Sequence, residues 1–253
     1  MKLQLEEIDS TQLELKRRLA QDPALPHLSF VQARRQTGGR GRQDRAWVSP
    51  EGNLYLSVLW RGPHPVSDSS ALTVTWIPLA VAVALRRAIV SAFAPEKPIR
   101  LKWPNDLMVE PFSKLSGILC EKLGDQVIVG VGVNVGSRPS IPDRETISIR
   151  EITSHAPDVD TLRDAFLHEL QKSLLPDEIR REFETHGLIH AGDTIEWMDP
   201  ATKEAATGKV LGLGPYGELK VESSGRTLGL FGEEVTRVHV LENSNDKSTL
   251  FTE

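Results

Sequence analysis

Five arginines, Arg34, Arg35, Arg40, Arg42 and Arg45, fall within twelve residues that hold a single acid, Asp44, together with Gly38, Gly39 and Gly41. Glycines let backbone amides approach a ligand closely, and guanidinium groups are forked donors matched to carboxylate and phosphate. The same composition also suits a solvated surface loop or an Arg-rich nucleic-acid-binding segment. A second string, Lys102-Trp103-Pro104-Asn105-Asp106-Leu107, stops a strand at Pro104. Asn105 and Asp106 then form either a structural Asx turn or a strand-end site where Asp106 helps to hold Mg²⁺ or a nucleotide group. A third, Lys114-Leu115-Ser116-Gly117-Ile118-Leu119, sets one cation beside a glycine in an apolar strand. Lysine at a strand edge commonly guards against unwanted pairing. Glycine weakens a strand unless something packs against its backbone. With Gly130 and Gly132 thinning a neighbouring strand, Gly117 predicts a floor for a flat ligand. Ser10, Thr11 and Gln12 offer polar groups at a helix start, where a capping role is the simpler reading.

Other chemistries lack their residues. There is no G-x-x-x-x-G-K-[ST] phosphate loop, and Gly130-x-Gly132 has Val135 where a third dinucleotide-fingerprint glycine would stand. The seven histidines show no metal spacing, and no G-x-S-x-G elbow occurs. Cys120 is the sole cysteine, which excludes an internal disulfide and a Cys-rich zinc site, and its apolar strand makes it core rather than nucleophile. The formal charge of -5 gives no overall attraction to polyanions. The run Leu72 to Leu85 contains Thr73, Thr75 and Pro78 and is too short to span a bilayer. The first residues lack a secretory signal, so a soluble cytoplasmic protein is expected, with no nucleic-acid or membrane partner.

The elements that must position these residues follow from periodicity. Strands are predicted at Leu3 to Ile8, Leu28 to Ala33, Asn53 to Trp60 and Ile99 to Trp103, with the Arg/Gly segment 34 to 45 as a loop. Helices are predicted from Thr11, where Glu14 has capping-box spacing, to about Ala20, over 77 to 93, and as a pair over Thr161 to Leu175 and Asp177 to His186. Leu107 to Val109 leads into a turn at 110 to 113. Lys114 to Lys122 and Gln126 to Val135 read as a hairpin. The chain is predicted to be α+β: a mixed β-sheet domain packed with helices over 1–187, a small β-barrel over 188–241, and a polar tail over 242–253. The barrel strands are Thr194 to Met198, Ala205 to Leu213, Gly217 to Glu222, Arg226 to Phe231 and Val235 to Val240.

Taken in order, the strings resemble the biotin protein ligase family. They are Asp9-Ser10-Thr11, Gln36, Gly39-Arg40-Gly41-Arg42 through Arg45-x-Trp47, Asn53-Leu54-Tyr55-Leu56-Ser57, Lys102 to Leu107, Lys114-Leu115-x-Gly117-Ile118-Leu119 and Gly130-x-Gly132-x-Asn134. The resemblance spans about residues 8 to 136, and the C-terminal segment is similar to the family's SH3-like domain. It implies a class II synthetase-like catalytic domain and a two-step reaction with biotin and Mg·ATP. Biotinyl-5'-AMP and pyrophosphate form first; a lysine of the biotin carboxyl carrier domain of a carboxylase then takes the biotin.

Residue by residue, the resemblance implies biotin contacts from Ser10, Thr11, Gln12, Gln36, Arg40, Gly41, Arg42 and Lys114, with Gly117 and Gly132 giving the rings room. It implies catalytic roles for Arg42 and Lys114 at the carboxylate and α-phosphate. It implies adenylate contacts from Arg42, Arg45, Trp47, Lys102, Asn105 and Asn134, and a Mg²⁺ contact from Asp106. Many members have glycine where this chain has Asp44. The strings begin close to Met1, so the helix-turn-helix domain of repressor-type members is not expected, nor is DNA binding. Members include monomers and homodimers. A lipoate ligase of the same superfamily is the enzyme alternative, and an Arg-loop nucleic-acid binder the non-enzyme one.

Overall fold

The computed structural model describes residues 1–61, 74–109, 112–142, 145–172, 174–199, 201–232 and 236–241. The chain opens with β1 (Lys2–Ile8), α1 (Thr11–Gln21) and β2 (Phe30–Gln36), and β1 runs parallel to β2. β2 is shifted from the predicted 28 to 33 and takes in Arg34 and Arg35, because these pair with Glu6 and Glu7 on β1. A short 3-10 turn at Arg42–Asp44 precedes β3 (Leu54–Trp60). α2 (Ile77–Phe93) follows, then β4 (Ile99–Lys102), β5 (Asp106–Val109), β6 (Ser113–Leu123) and β7 (Gln126–Val133). One mixed sheet results, in the order β1-β2-β3-β7-β6-β5-β4, antiparallel except for β1 and β2.

The two faces of this sheet have different tasks. On one, Leu54, Leu56 and Val58 of β3 and Val129, Val131 and Val133 of β7 pack with α2 in the main core. α2 is apolar almost all round, and ten of its residues are buried, because it lies between the sheet and α3 (Val159–Leu170). Each fully buried aliphatic side chain there contributes about 1.5–3 kcal/mol. On the other face Leu15 of α1 packs with Val31, Leu59 and Ile128. β3 is therefore buried along its whole length, where alternation predicted one covered face.

α3 and α4 (Pro176–His186) are the predicted helical pair, but residues 171–172 and 174–175 are not helical and Pro176 starts the next helix. β8 (Thr194–Met198), β9 (Ala205–Leu213), β10 (Leu219–Ser223), β11 (Arg226–Leu230) and β12 (Thr236–Leu241) form a second sheet, ordered β11-β10-β9-β8-β12. Among the described residues no pairing of β11 with β12 is seen. The β9–β10 turn docks on the 3-10 turn that precedes α2 and on the β4–β5 turn. Trp76 Nε1 donates to Pro215 O at 3.0 Å, Trp103 Nε1 to Gly217 O at 3.2 Å, and Thr75 Oγ1 to Tyr216 O. No described helix is long and apolar enough to cross a membrane. The expectations for residues 72–73, 110–111, 235 and 242–253 lie outside the described residues.

Candidate active site

Cross-strand register builds the floor. Tyr55 on β3 lies opposite Gly132 on β7, which lies opposite Gly117 on β6; one pair along, Ser57 faces Gly130. These residues share the face on which α1 packs. A Cβ at Gly132 would sit 2.5 Å from the Trp47 indole, and one at Gly117 2.9 Å from it. A Cβ at Gly130 would sit 2.5 Å from Gln12 Oε1. The strands are thinned because an aromatic ring and an amide rest directly on their backbone. The flat group on the predicted floor is thus the chain's own Trp47. Its indole Nε1 is buried without a hydrogen-bond partner, although the backbone around it is tied down through Trp47 N to Gly39 O at 2.9 Å.

The cations come from three segments. Lys114 Nζ lies 5.5 Å from the Trp47 ring centroid and donates to Asp106 Oδ2 at 2.7 Å. Arg42 donates to Asn105 Oδ1 at 3.0 Å, while Asn105 Nδ2 donates to Ile118 O at 2.6 Å. Asn105 and Asp106 therefore do not form a self-contained Asx turn: their side chains reach across to β6 and to the Arg/Gly loop. Lys102 stands opposite Asp106 at the end of β4. Asn134 is buried and spends both amide protons on Lys114 O and Ile147 O, so only its carbonyl oxygen is left for a ligand.

At the far end of the floor, α1 delivers its first residues. Ser10 is the N-cap but makes no side-chain cap bond, and Thr11 and Glu14 do not form the predicted capping box. Thr11 turns instead to Gln36 and Ser57, and Glu14 to Arg17 and Arg18. Thr11 N donates to Gln36 Oε1 at 2.8 Å, and Gln36 Nε2 to Ser49 Oγ at 3.0 Å. Gln12 Nε2 donates to Leu119 O and Ile128 O. Ser49 and Ser57, both buried, belong to this polar cluster and were not among the sequence candidates. The signal for Ser57 was available: a serine in the apolar strand 53 to 60, off the phase of Leu54, Leu56 and Val58.

The arginines do not act as one group. Arg34 and Arg35 are exposed and paired with Glu6 and Glu7, away from the floor, and Arg40 and Arg45 are exposed on the loop. Gly41 N bonds Arg45 O, which closes the loop on itself. Its left-handed residue is Gln43, at φ 54°; the Asp44 side chain lies outside the description. A hollow of about 590 Å³ opens beside the loop and shares Gln36, Trp47 and Ser49 with the site, although its lining includes none of the three floor glycines and not Lys114. Cys120 is partly buried and packs against the core, and burial pushes its thiol up to about 12, away from the thiolate form at neutral pH.

Asp106 Oδ1 is buried without a partner, and among the described residues no three His, Cys, Asp or Glu side chains gather as a metal cage. One carboxylate fits a magnesium ion that takes its remaining ligands from phosphate and water.

Known proteins match this arrangement. Residues 5–134 match the model of the biotin/lipoate A/B protein ligase family. The chain is 33% identical over 166 residues to the biotin–[acetyl-CoA-carboxylase] ligase of Paracoccus denitrificans, which covers 62% of this chain and 65% of that one. It is 32% identical over 168 residues to the enzyme of the same name from Mycobacterium tuberculosis, covering 66% of this chain and 61% of that one. It thus spans less than two thirds of those relatives' length. The biotin protein ligase from Aquifex aeolicus, solved in complex with biotin and ATP, superposes with a TM-score of 0.72 at 26% identity, covering 95% of this chain and 99% of that one. Matching at family level across half its length, the chain belongs to the biotin/lipoate A/B protein ligase family.

Proposed function

We propose that this chain is an ATP-dependent biotin protein ligase: it joins biotin to AMP with release of pyrophosphate, then passes biotin to a lysine of the carrier domain of a biotin-dependent carboxylase. The observation that carries this reading is the glycine floor under a ring-sized seat, with Lys114 and Arg42 at one end and Thr11, Gln12 and Gln36 at the other. Such a seat suits a flat fused ring with polar edges and an anionic tail.

In the first step a carboxylate oxygen attacks the α-phosphorus and the bond to pyrophosphate breaks. No protein nucleophile is needed, in keeping with a floor that carries no thiolate. The protein's task is to hold two anions in contact, and Lys114 and Arg42 are the cations placed to do so. Magnesium enters with the triphosphate as part of the substrate, and Asp106 is the carboxylate that would hold it. In the second step the carrier amine attacks the acyl carbon and AMP departs. Trp47 must leave the floor for the ligand rings to enter, and from the rim its ring can then shield the mixed anhydride from water. Arg45, Lys102 and the Asn134 carbonyl are assigned to the nucleotide, Arg40 and Gly41 to the biotin tail, and Ser10 to its ring. The second sheet is read as the SH3-like barrel of the family, and the location as cytoplasmic, where a lone thiol stays reduced.

Incubation with biotin, Mg·ATP and a carrier domain is expected to release pyrophosphate and to add the mass of biotin to one carrier lysine. A mass shift with lipoate in place of biotin, and none with biotin, would overturn the assignment.

A further inference from the structure

The polar cluster at the end of the floor can be solved for its protons. Gln12 Nε2 faces two backbone carbonyls, Leu119 O and Ile128 O, so its Oε1 must face Ser57. Gln36 Oε1 receives the Thr11 backbone N–H, so its Nε2 must face Ser49, whose own proton goes to Trp47 O. Both amides are thus pinned by groups that can only donate or only accept. Between them stand two hydroxyls and three contacts: Ser57 Oγ to Gln12 Oε1 at 2.9 Å, Thr11 Oγ1 to Ser57 Oγ at 2.9 Å, and Thr11 Oγ1 to Gln36 Oε1 at 3.1 Å. Two protons cannot serve three contacts. Gln12 Oε1 depends on Ser57, whereas Gln36 Oε1 already has the Thr11 N–H. The shortest consistent assignment sends the Ser57 proton to Gln12 and the Thr11 proton to Ser57. Thr11 Oγ1 and Gln36 Oε1 are then 3.1 Å apart with no hydroxyl proton between them.

We propose that Ser57 is a positioning residue for ligand selection. By taking the Thr11 proton, it turns Thr11 Oγ1 and Gln36 Oε1 into a pair of acceptors that reads a ring N–H of the ligand. The inference rests on the biotin reading of the site, since a ureido ring carries two such N–H groups. Two oxygens facing each other without a hydroxyl proton are mutually repulsive and attract any donor offered to both. A ring oxygen at the same place would meet only lone pairs and be rejected.

The test compares biotin with the two cyclic carbamate analogues in which one or the other ureido N–H is replaced by a ring oxygen. Dissociation constants are measured by calorimetry without ATP on the wild type, Ser57→Ala and Ser57→Thr. The wild type is expected to prefer biotin by at least about 100-fold over one of the analogues. Ser57→Ala frees the Thr11 proton to meet a ring oxygen, and is expected to shrink that ratio at least about tenfold; Ser57→Thr, which keeps the hydroxyl, restores it. A Ser57→Ala variant that loses affinity for all three ligands equally, leaving both ratios at the wild-type value, overturns the role of Ser57 while the biotin reading stands. A wild-type chain that binds no biotin overturns that reading and the proposal together.

Discussion

Lys114 and Asp106 show how a charge serves both fold and chemistry. Their side chains are mostly buried and meet at 2.7 Å, with Asp106 Oδ1 otherwise without a partner. Lys114→Ala is expected to slow pyrophosphate release about 100- to 1000-fold, as loss of an anion-holding donor does. Folding should suffer as well, because a stranded carboxylate costs about 1–3 kcal/mol. The double variant Lys114→Ala/Asp106→Asn should therefore recover melting temperature without recovering activity, and full activity in either variant would refute the role of Lys114. Legible residues were those with a local signature: Gly117, Gly130 and Gly132 in apolar strands, and Lys114 beside one of them. The seat of Trp47 on the floor and the contact of Ser57 with Thr11 were not legible, because each joins segments more than 40 residues apart; Ser57 itself was marked only by its phase in an apolar strand.

At the scale of elements, α1 has a second use besides covering the sheet: its first turn carries Thr11 and Gln12 to the site. Its first turns are fastened by the buried Glu14, which receives Arg18 Nε at 2.7 Å and Arg17 at 3.0 Å. The Arg18 hydrogen bond leads in holding the Glu14 carboxyl below the usual glutamate range, against desolvation that raises it. A depressed carboxyl stabilises the fold above its unfolded pKa, and the gain is lost as pH falls through the folded value. Glu14→Gln should thus be less stable than wild type at pH 7, by no more than about 1 kcal/mol since both arginines are half exposed. The two melting curves should converge as pH falls below the usual glutamate range; a constant gap across that fall would count against the ion pairs. Periodicity located α1, α2 and the β6–β7 hairpin, whose patterns are local. It misplaced the end of β2, where Arg34 and Arg35 read as loop but are held extended by Glu6 and Glu7 on a strand distant in sequence.

For the molecule as a whole, the notable contact is between the second sheet and the turn that feeds the site. A Cβ at Gly232 would sit 2.7 Å from Pro104 Cβ, and Pro104 adjoins Asn105, the partner of Arg42. Gly232→Val is expected to displace that turn and reduce pyrophosphate release at least tenfold, while Thr227→Val on exposed β11 leaves it unchanged; equal effects would deny the link. The α+β class and the run of short strands from Thr194 were legible from spacing, but the docking of the β9–β10 turn was not, since it rests on Trp76 and Trp103 meeting backbone carbonyls about 114 to 139 residues away. The net charge of -5 likewise hid the arrangement, because part of the arginine island is neutralised by Glu6 and Glu7 while Arg42 meets Asn105 and Lys114 meets the Trp47 ring. The seating of Trp47 also makes the molecule its own optical reporter. Of its five tryptophans, Trp60, Trp76, Trp103 and Trp197 are at most 8% exposed and remain in the core, so an indole leaving the floor alters emission at one position alone. Ligand entry should shift fluorescence to the red without any label, and a Trp47→Phe chain should stay dark to it.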